Sequence, residues 1–246
     1  MIKIFYFRNF NFRGKTGGAI LWNGSNGLLK DCKFIKNQIS TGNGIIYWSG
    51  ANGNLMDCSF TDNRASYGVV YWSGAKGNLF DSIFINNYAS FGGGVCWDGA
   101  NGNLMDCSFT TNSAPNGGGG VCWFGANGTI NRCNFINNTS NYGGGVHWSG
   151  ANGNIISPIF INNTAKNEGG AVYWYLAEGH MINSIFVNGK SNKLNGIYSR
   201  GNLNITGGKG IVYVTLIFCA LSGISIVVLN NETYYYPPNS NINFTK

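Results

Sequence analysis

The sequence predicts an all-β fold, a right-handed parallel β-helix of seven coils with 24 to 26 residues each, followed by a short C-terminal β segment. The chain contains seven tryptophans, and a phenylalanine follows each of them after twelve residues. The stretch "WSGANGNLMDCSF" also returns 49 residues later with one letter changed. The aromatic pairs are Trp22 and Phe34, Trp48 and Phe60, Trp72 and Phe84, Trp97 and Phe109, Trp123 and Phe135, Trp148 and Phe160, and Trp174 and Phe186.

Each repeat contains two short apolar runs, such as "GGGVCW" and "NLMDCSF". They are rich in β-branched and aromatic residues and are bounded by Gly and Asn, which predicts strands and not helices. An aliphatic residue stands two positions before every Trp, so strand alternation predicts that the Trp face is internal. The residue between them is then expected to face outward: Leu21, Tyr47, Tyr71, Cys96, Cys122, His147 and Tyr173.

Parallel coils place each residue about 4.8 Å from its counterpart, which predicts ladders of identical side chains. Small residues two positions before each Phe leave room for the phenyl ring. An asparagine three positions after Phe predicts a ladder of stacked amides in six repeats, and Gly189 replaces it in the seventh. These asparagines are Asn37, Asn63, Asn87, Asn112, Asn138 and Asn163.

A glycine follows every Trp after five residues, and Asn-Gly pairs at this point predict a turn with a left-handed backbone position. All variation in repeat length falls in the other arc of the coil, in stretches such as "NQISTGNG" and "NSAPNGGGG". Variable loops on a fixed scaffold are where specificity usually lies. The turn glycines are Gly27, Gly53, Gly77, Gly102, Gly128, Gly153 and Gly179.

The chain divides into three parts in this interpretation. Residues 1–16 are expected to be an N-terminal cap or the remnant of a leader, and residues 17–206 to be the β-helix. Residues 207–246 are expected to begin an immunoglobulin-like β-sandwich or to cap the helix. The segment 211–229 has no charge and is long enough for a membrane helix, but its β-branched alternation favours strands. No signal-peptide pattern is visible at the N-terminus, which predicts a fragment of a longer protein.

Charge and cysteine usage narrow the function classes. The net charge is +7, yet the sixteen Lys and Arg residues are scattered, so no nucleic-acid partner is predicted. The seven cysteines contain no Cys-x-x-Cys pair, which argues against zinc and redox motifs. We expect the thiols to be free and to pack as small apolar groups.

Short motifs recur in phase with the repeats: "GGAI" at 17–20, "FIKN" at 34–37, "FTDN" at 60–63 and "FINN" at 84–87. They resemble the GGAI and FxxN motifs of polymorphic outer-membrane protein repeats. Similar repeats occur in adhesin-like surface proteins of methanogenic archaea, whose Asn-rich, Lys-biased composition this chain resembles. The resemblance implies a β-helix at the cell surface or secreted, adhesion to glycans or surface proteins of other cells, and no reaction. The repeats "GNGI" and "YGVV" depart from the motif because they lack the double glycine.

Polysaccharide lyases and glycoside hydrolases also use the β-helix, so an enzyme is the alternative, and a purely structural spacer stalk is a third. Hydrolysis needs two carboxylates that face each other across a bond. Four acids instead recur three residues before Phe, which predicts a row along the helix axis that continues as Arg132. We therefore expect no catalytic residue and no cofactor, with calcium bridging as a minor alternative for this row. The row is Asp31, Asp57, Asp81 and Asp106.

Surface aromatic residues are the remaining candidates for binding. Tyr47, Tyr71 and Tyr173 lie at the position predicted to face outward and could contact a ligand. His147 and His180 have no partner at the spacing of a catalytic or metal site. The sequence thus predicts a non-catalytic binding protein without naming its ligand.

Overall fold

The computed structural model describes residues 2–3, 6–12, 18–23, 26–50, 52–74, 76–99, 101–125, 127–150, 152–192, 196–206, 225–229, 232–236 and 242–245. Within these ranges the chain contains strands and no α-helix. The strands wind into a parallel β-helix in which each coil hydrogen-bonds to the next. Three sheets run along the helix, and we name each after the side chain that it directs inward.

The tryptophan sheet holds the first strand of each coil. Its strands pair in register, so that Trp72 lies opposite Trp48 and Trp97. The strands are Ile20–Asn23, Ile46–Ser49, Val70–Ser73, Val95–Asp98, Val121–Phe124, Val146–Ser149 and Val172–Ile182.

The leucine sheet follows after a turn of a few residues. The last tryptophan-sheet strand, Val172–Ile182, runs on into this sheet and joins the two. The other strands are Ile2–Lys3, Gly27–Lys30, Gly53–Met56, Gly77–Phe80, Gly102–Met105, Gly128–Asn131 and Gly153–Ile156.

The phenylalanine sheet is the third, and short pieces of a further sheet lie in the variable arc. The phenylalanine-sheet strands are Tyr6–Arg8, Lys33–Ile35, Ser59–Thr61, Ile83–Ile85, Ser108–Thr110, Asn134–Ile136, Ile159–Ile161 and Ile185–Val187. The arc strands are Asn11–Phe12, Gln38–Ile39, Ser113–Ala114, Thr139–Tyr142 and Thr164–Glu168.

The coils extend beyond the seven repeats at both ends. Residues expected to form a cap or leader continue the ladder, because Phe7 pairs with Phe34 and stacks on its ring at 5.0 Å. At the other end, Ile197–Thr206 adds a parallel strand that Ile242–Thr245 extends. The expected division at residue 207 therefore has a strand beyond it that pairs with the β-helix.

Most of the segment 211–229 lies outside the described residues. The described part, Ser225–Leu229, pairs antiparallel with Glu232–Tyr236 as a two-stranded ribbon. The described residues contain no helix long and apolar enough to span a membrane.

Two aromatic columns run through the core beside buried aliphatic residues and cysteines. Successive indoles from Trp22 to Trp174 stack with centroids 4.1 to 5.3 Å apart, and all but Trp22 are fully buried. Successive phenyl rings from Phe7 to Phe186 stack at 4.5 to 5.1 Å. The fixed spacing of twelve residues from Trp to Phe is what places both rings inside every coil.

A buried asparagine ladder closes the core beside the phenylalanine column. In each coil the amide nitrogen donates to the backbone oxygen of a Phe in the preceding coil, as from Asn112 Nδ2 to Phe84 O at 2.9 Å. The Oδ1 atom accepts both from the backbone and from the amide of the preceding asparagine, as Asn112 Oδ1 does from Asn87. Every polar atom of the amide is thus used, which permits burial of the side chain.

The turn glycines other than Gly179, whose φ is 158°, do not have a positive φ, and the prediction from the Asn-Gly pairs is wrong at these positions. The left-handed glycines lie three residues earlier, for example Gly74 and Gly99 with φ of 65° and 61°. Gly77 instead lies against the indole of its own coil, where a Cβ atom would approach Trp72 Cε2 to 2.3 Å. A glycine is required there because the tryptophan ring occupies the space of any side chain.

We expect Gly77→Ala to lower the free energy of unfolding by about 1–3 kcal/mol, because the methyl group overpacks the indole. In a Trp72→Ala background the same change should be nearly neutral, since the ring that it meets is gone. Urea unfolding of the four proteins measures this coupling. An equal loss from Gly77→Ala in both backgrounds would contradict the steric explanation.

We expect Asn112→Ala to destabilise the protein by more than about 2 kcal/mol. The change removes Asn112 Oδ1, the acceptor of one backbone and one amide hydrogen bond from the buried Asn87, and each lost bond costs about 1–3 kcal/mol. The control is Asn103→Ala on the exposed surface, which should change the free energy of unfolding by no more than about 0.5 kcal/mol. Chemical denaturation that gives similar values for both variants would show that the ladder is dispensable.

Candidate functional site

The structure buries most of the surface that the sequence predicts to face outward. Tyr71 and Tyr173 are only 5% and 9% exposed, and Cys96 and Cys122 are fully buried. The prediction of outward contacts is therefore wrong for Tyr71 and Tyr173, which a ligand does not reach. Tyr47 is half-buried and stays a predicted contact.

The variable arc is the reason for this burial. Its glycines lie directly on the outward side of the tryptophan sheet: a Cβ atom on Gly117 would come within 2.1 Å of His147 Nδ1. Tyr67 from the arc stacks on Tyr71 at 5.2 Å, and the Tyr71 hydroxyl donates to Asp98 at 2.9 Å. The tryptophan sheet thus has a second, smaller core on its outer side, and the glycine runs of the arc are the sequence signal for it.

The thiols of the described residues are buried groups. The six cysteines of the described residues are free, and all are buried. Burial raises the pKa of the Cys58 thiol to about 12, and burial together with Cys96 raises the pKa of Cys122 well above its ordinary value. Reactive cysteines need a lowered pKa and access to solvent, so these thiols serve packing.

His147 is a buried histidine beneath the arc. Burial lowers its pKa from 6.5 to about 4, and its Nδ1 atom has no hydrogen-bond partner among the described residues. Its neighbours in register are Cys122 and Tyr173, and the ring packs edge-on against Phe124 and Tyr173. The folded protein therefore holds this imidazole neutral where the unfolded chain protonates it.

We expect His147 to weaken the fold in acid. Below pH 6.5 the unfolded chain binds a proton that the folded chain accepts only near pH 4, so stability falls as the pH decreases through this window. Between pH 7.5 and 4.5 the free energy of unfolding should fall by about 2–3 kcal/mol more in the wild type than in His147→Cys. Cysteine is the residue of the two preceding coils, and the exposed His180→Gln is the control. A pH dependence that is unchanged in His147→Cys would contradict the assignment.

The predicted acidic row lies at a strand bend with left-handed backbone. Asp31, Asp57, Asp81 and Asp106 have φ between 47° and 55°, a conformation that aspartate tolerates better than most residues. The carboxylate of Asp106 receives two hydrogen bonds from Arg132, which lowers its pKa.

Asp57, the second of these acids, pairs with Lys30 at 3.5 Å. Nowhere in the described ranges do three His, Cys, Asp or Glu side chains come close enough to hold a metal ion.

A different surface forms a long concavity among the described residues. It is a groove of about 1080 Å³ along the outer side of the leucine sheet. The glycines that face the tryptophans form its floor, and the two residues that flank each glycine form its walls. One wall is Lys76, Asn101, Asn127, Asn152 and Glu178, and the other is Asn103, Thr129, Asn154, His180 and Asn204.

Hydrogen bonds between coils order the amides of this groove. In the first wall, the backbone nitrogen of Asn127 donates to Asn101 Oδ1, and that of Asn152 donates to Asn127 Oδ1, both at 3.0 Å. In the second wall, Asn103 Nδ2 donates to Asn78 Oδ1 at 3.0 Å. Because the carbonyl ends in the first wall accept from the next coil, the amino ends remain as donors along the exposed groove.

Sequence reasoning did not find this groove. The repeated "ANGN" carries its signal, since both asparagines flank an inward glycine and alternation directs them outward. Because the Asn-Gly pair was interpreted only as a turn signal, the two walls were not predicted. Among the described lining residues, Glu178 is the single carboxylate, so the groove has no opposed acid pair. Its chemistry is hydrogen bonding by uncharged amides.

Comparison with known proteins agrees with the fold. A model described as "Right handed beta helix region" matches residues 3–103. A model described as "Chlamydia polymorphic membrane protein (Chlamydia_PMP) repeat" matches residues 159–173, which include one FxxN and one glycine-pair motif. No curated protein and no solved structure gives a significant match.

These observations define the class of protein. The chain is a right-handed parallel β-helix built from repeats, as the sequence predicts. One of its repeats is similar to those of the chlamydial polymorphic membrane proteins. The two matched regions together cover less than half of the chain.

Proposed function

We propose that this protein is a non-catalytic, adhesin-like protein of the cell surface, whose β-helix is both a stalk and a binding surface for glycans or other cells. The observation that carries the proposal is the long repeating surface itself. Eight stacked phenylalanines span about 34 Å, and the outward side chains repeat with every coil along this length. Repeated groups on a rigid rod suit contact with another extended surface.

The match to a polymorphic membrane protein repeat supports a location at the surface or outside the cell. The resemblance in composition to the adhesin-like proteins of methanogenic archaea belongs to the same proposal. The alternative is a structural stalk, in which the β-helix binds no ligand and only spaces a binding domain located elsewhere. The open amide groove favours direct binding over this alternative.

A carbohydrate-active enzyme is the alternative from another class. Three acids of the described coils are held in other roles: Asp98 accepts from Tyr71, Asp62 accepts from Asn86, and Asp106 pairs with Arg132. Glycosidases need a pair of carboxyl groups across the scissile bond, and the groove contributes only Glu178 from the described residues. This arrangement favours binding without cleavage.

We expect the purified chain, immobilised on beads, to retain whole cells or glycan-coated surfaces and to leave glycans intact. Incubation with pectic and host-type glycans, with and without calcium, should release no reducing ends or unsaturated products. Beads that carry the denatured chain are the control for retention. Circular dichroism checks that this chain has lost its structure. Product release that Glu178→Gln abolishes would establish the enzyme instead, and an absence of retention on every surface would leave the spacer stalk.

A further inference from the structure

We infer that the amide groove on the leucine sheet binds an uncharged polysaccharide that lies along the helix axis. The inference rests on the proposed function and names its ligand class and its site. Three features of the groove support it: the chemistry of the walls, the distribution of charge and the axial repeat.

The walls offer groups that suit sugar hydroxyls. A hydroxyl both donates and accepts hydrogen bonds, and an asparagine amide does the same through its amino and carbonyl ends. The side chains of Asn101, Asn127 and Asn152 are exposed, and a backbone N–H of the next coil holds the side chains of Asn101 and Asn127 in place. Ordered side chains lose less rotamer entropy when a ligand binds, which favours recognition by a surface of this kind.

Charge is confined to the ends of the groove. Lys76 stands at one end, and Glu178 stands near the other end beside His180. The three coils between them carry Asn or Thr at both wall positions. An acidic polysaccharide would meet no basic side chain over these coils and would approach Glu178 at the end. The groove therefore selects an uncharged chain, although the protein as a whole has a net charge of +7.

The repeat of the walls suits a polymer more than a single small molecule. Equivalent side chains recur about every 4.8 Å, and the four steps from Asn103 to Asn204 cover about 19 Å. The volume of about 1080 Å³ lies at the upper limit of common small-molecule pockets, and the groove is open along its length. Several weak contacts in a row then give useful affinity through multivalency.

The test compares two matched double variants. Asn127→Asp with Asn152→Asp keeps Asn127 Oδ1, which accepts the backbone N–H of residue 152, but replaces both amino donors by charge. The control, Asn137→Asp with Asn162→Asp, makes the same changes on consecutive coils at exposed left-handed positions, where Asp62 already stands in an earlier coil. Circular dichroism and the urea midpoint establish that both proteins fold.

Affinity electrophoresis with a soluble neutral glucan, a galactomannan and polygalacturonate gives the readout. We expect the wild type to bind a neutral polymer and not polygalacturonate. The groove variant should bind at least about tenfold more weakly, as two lost hydrogen bonds predict, and the control should bind within about twofold of the wild type. Equal binding by the groove variant, or preference for polygalacturonate, would overturn the inference.

A gain of binding gives an independent test should the groove variant fail to fold. Thr129→Asn would place an amide between Asn103 and Asn154 in the second wall, and we expect binding that is tighter by about two- to fivefold. Weaker or unchanged binding would count against the groove.

Cell retention in parallel separates this inference from the proposed function. Retention that the groove variant leaves intact, with no binding of neutral polymers, would reject the groove and keep the adhesin. Retention that a protease treatment of the target surface abolishes would assign a protein ligand and reject the glycan. If beads that carry the wild-type chain retain no cells, the proposed binding function is rejected.

Discussion

Stacking of each tryptophan on its counterpart, with a glycine beneath the ring, is the contact on which the rest of the structure depends. The indole fills the corner between the tryptophan and leucine sheets, and the glycine leaves the space for it, as Trp72 and Gly77 illustrate. Both residues must repeat together, because a coil with a smaller ring or a larger residue would lose its fit to the coils above and below. This explains why the segment from Trp to Phe has constant length while the arc varies.

Burial of the two aromatic columns also buries polar atoms, and not all of these atoms receive a hydrogen-bond partner. The asparagine ladder satisfies every polar atom of its amides and ties each coil to both neighbours. The indole nitrogens of Trp48, Trp72, Trp97 and Trp123 are buried without a partner among the described residues. Apolar burial and ring stacking offset this loss, since each ring contacts rings on both faces. The columns are therefore positioned by packing, and the hydrogen bonds of the ladder fix the register beside them.

The outer sides of the tryptophan sheet and of the leucine sheet differ in what covers them. The glycine-rich arc folds over the tryptophan sheet and turns Tyr71, Cys122 and His147 into a buried cluster. The leucine sheet keeps its outer side open, and there the amides are exposed in two parallel walls. Function is therefore expected on the leucine side, at a surface of regular and uncharged groups. Such a surface suits recognition of a repeating partner more than chemistry at one bond.

The sequence by itself determined the fold class, the period and the residues that fill the core. This was possible because each inward position of a β-helix occurs once per coil. The same residue type at a fixed sequence spacing therefore indicates a stacked column. Only the tertiary structure decided which outward residues reach solvent. Alternation along a strand separates its two faces, but it does not show that a loop of glycines lies over Tyr71 and leaves Asn103 uncovered. Alternation also could not show that Gly77 is required by the indole of Trp72, five residues earlier, and not by its own dihedral angles. The contact between these two residues forms only in the folded coil, where the chain turns from the tryptophan sheet into the leucine sheet.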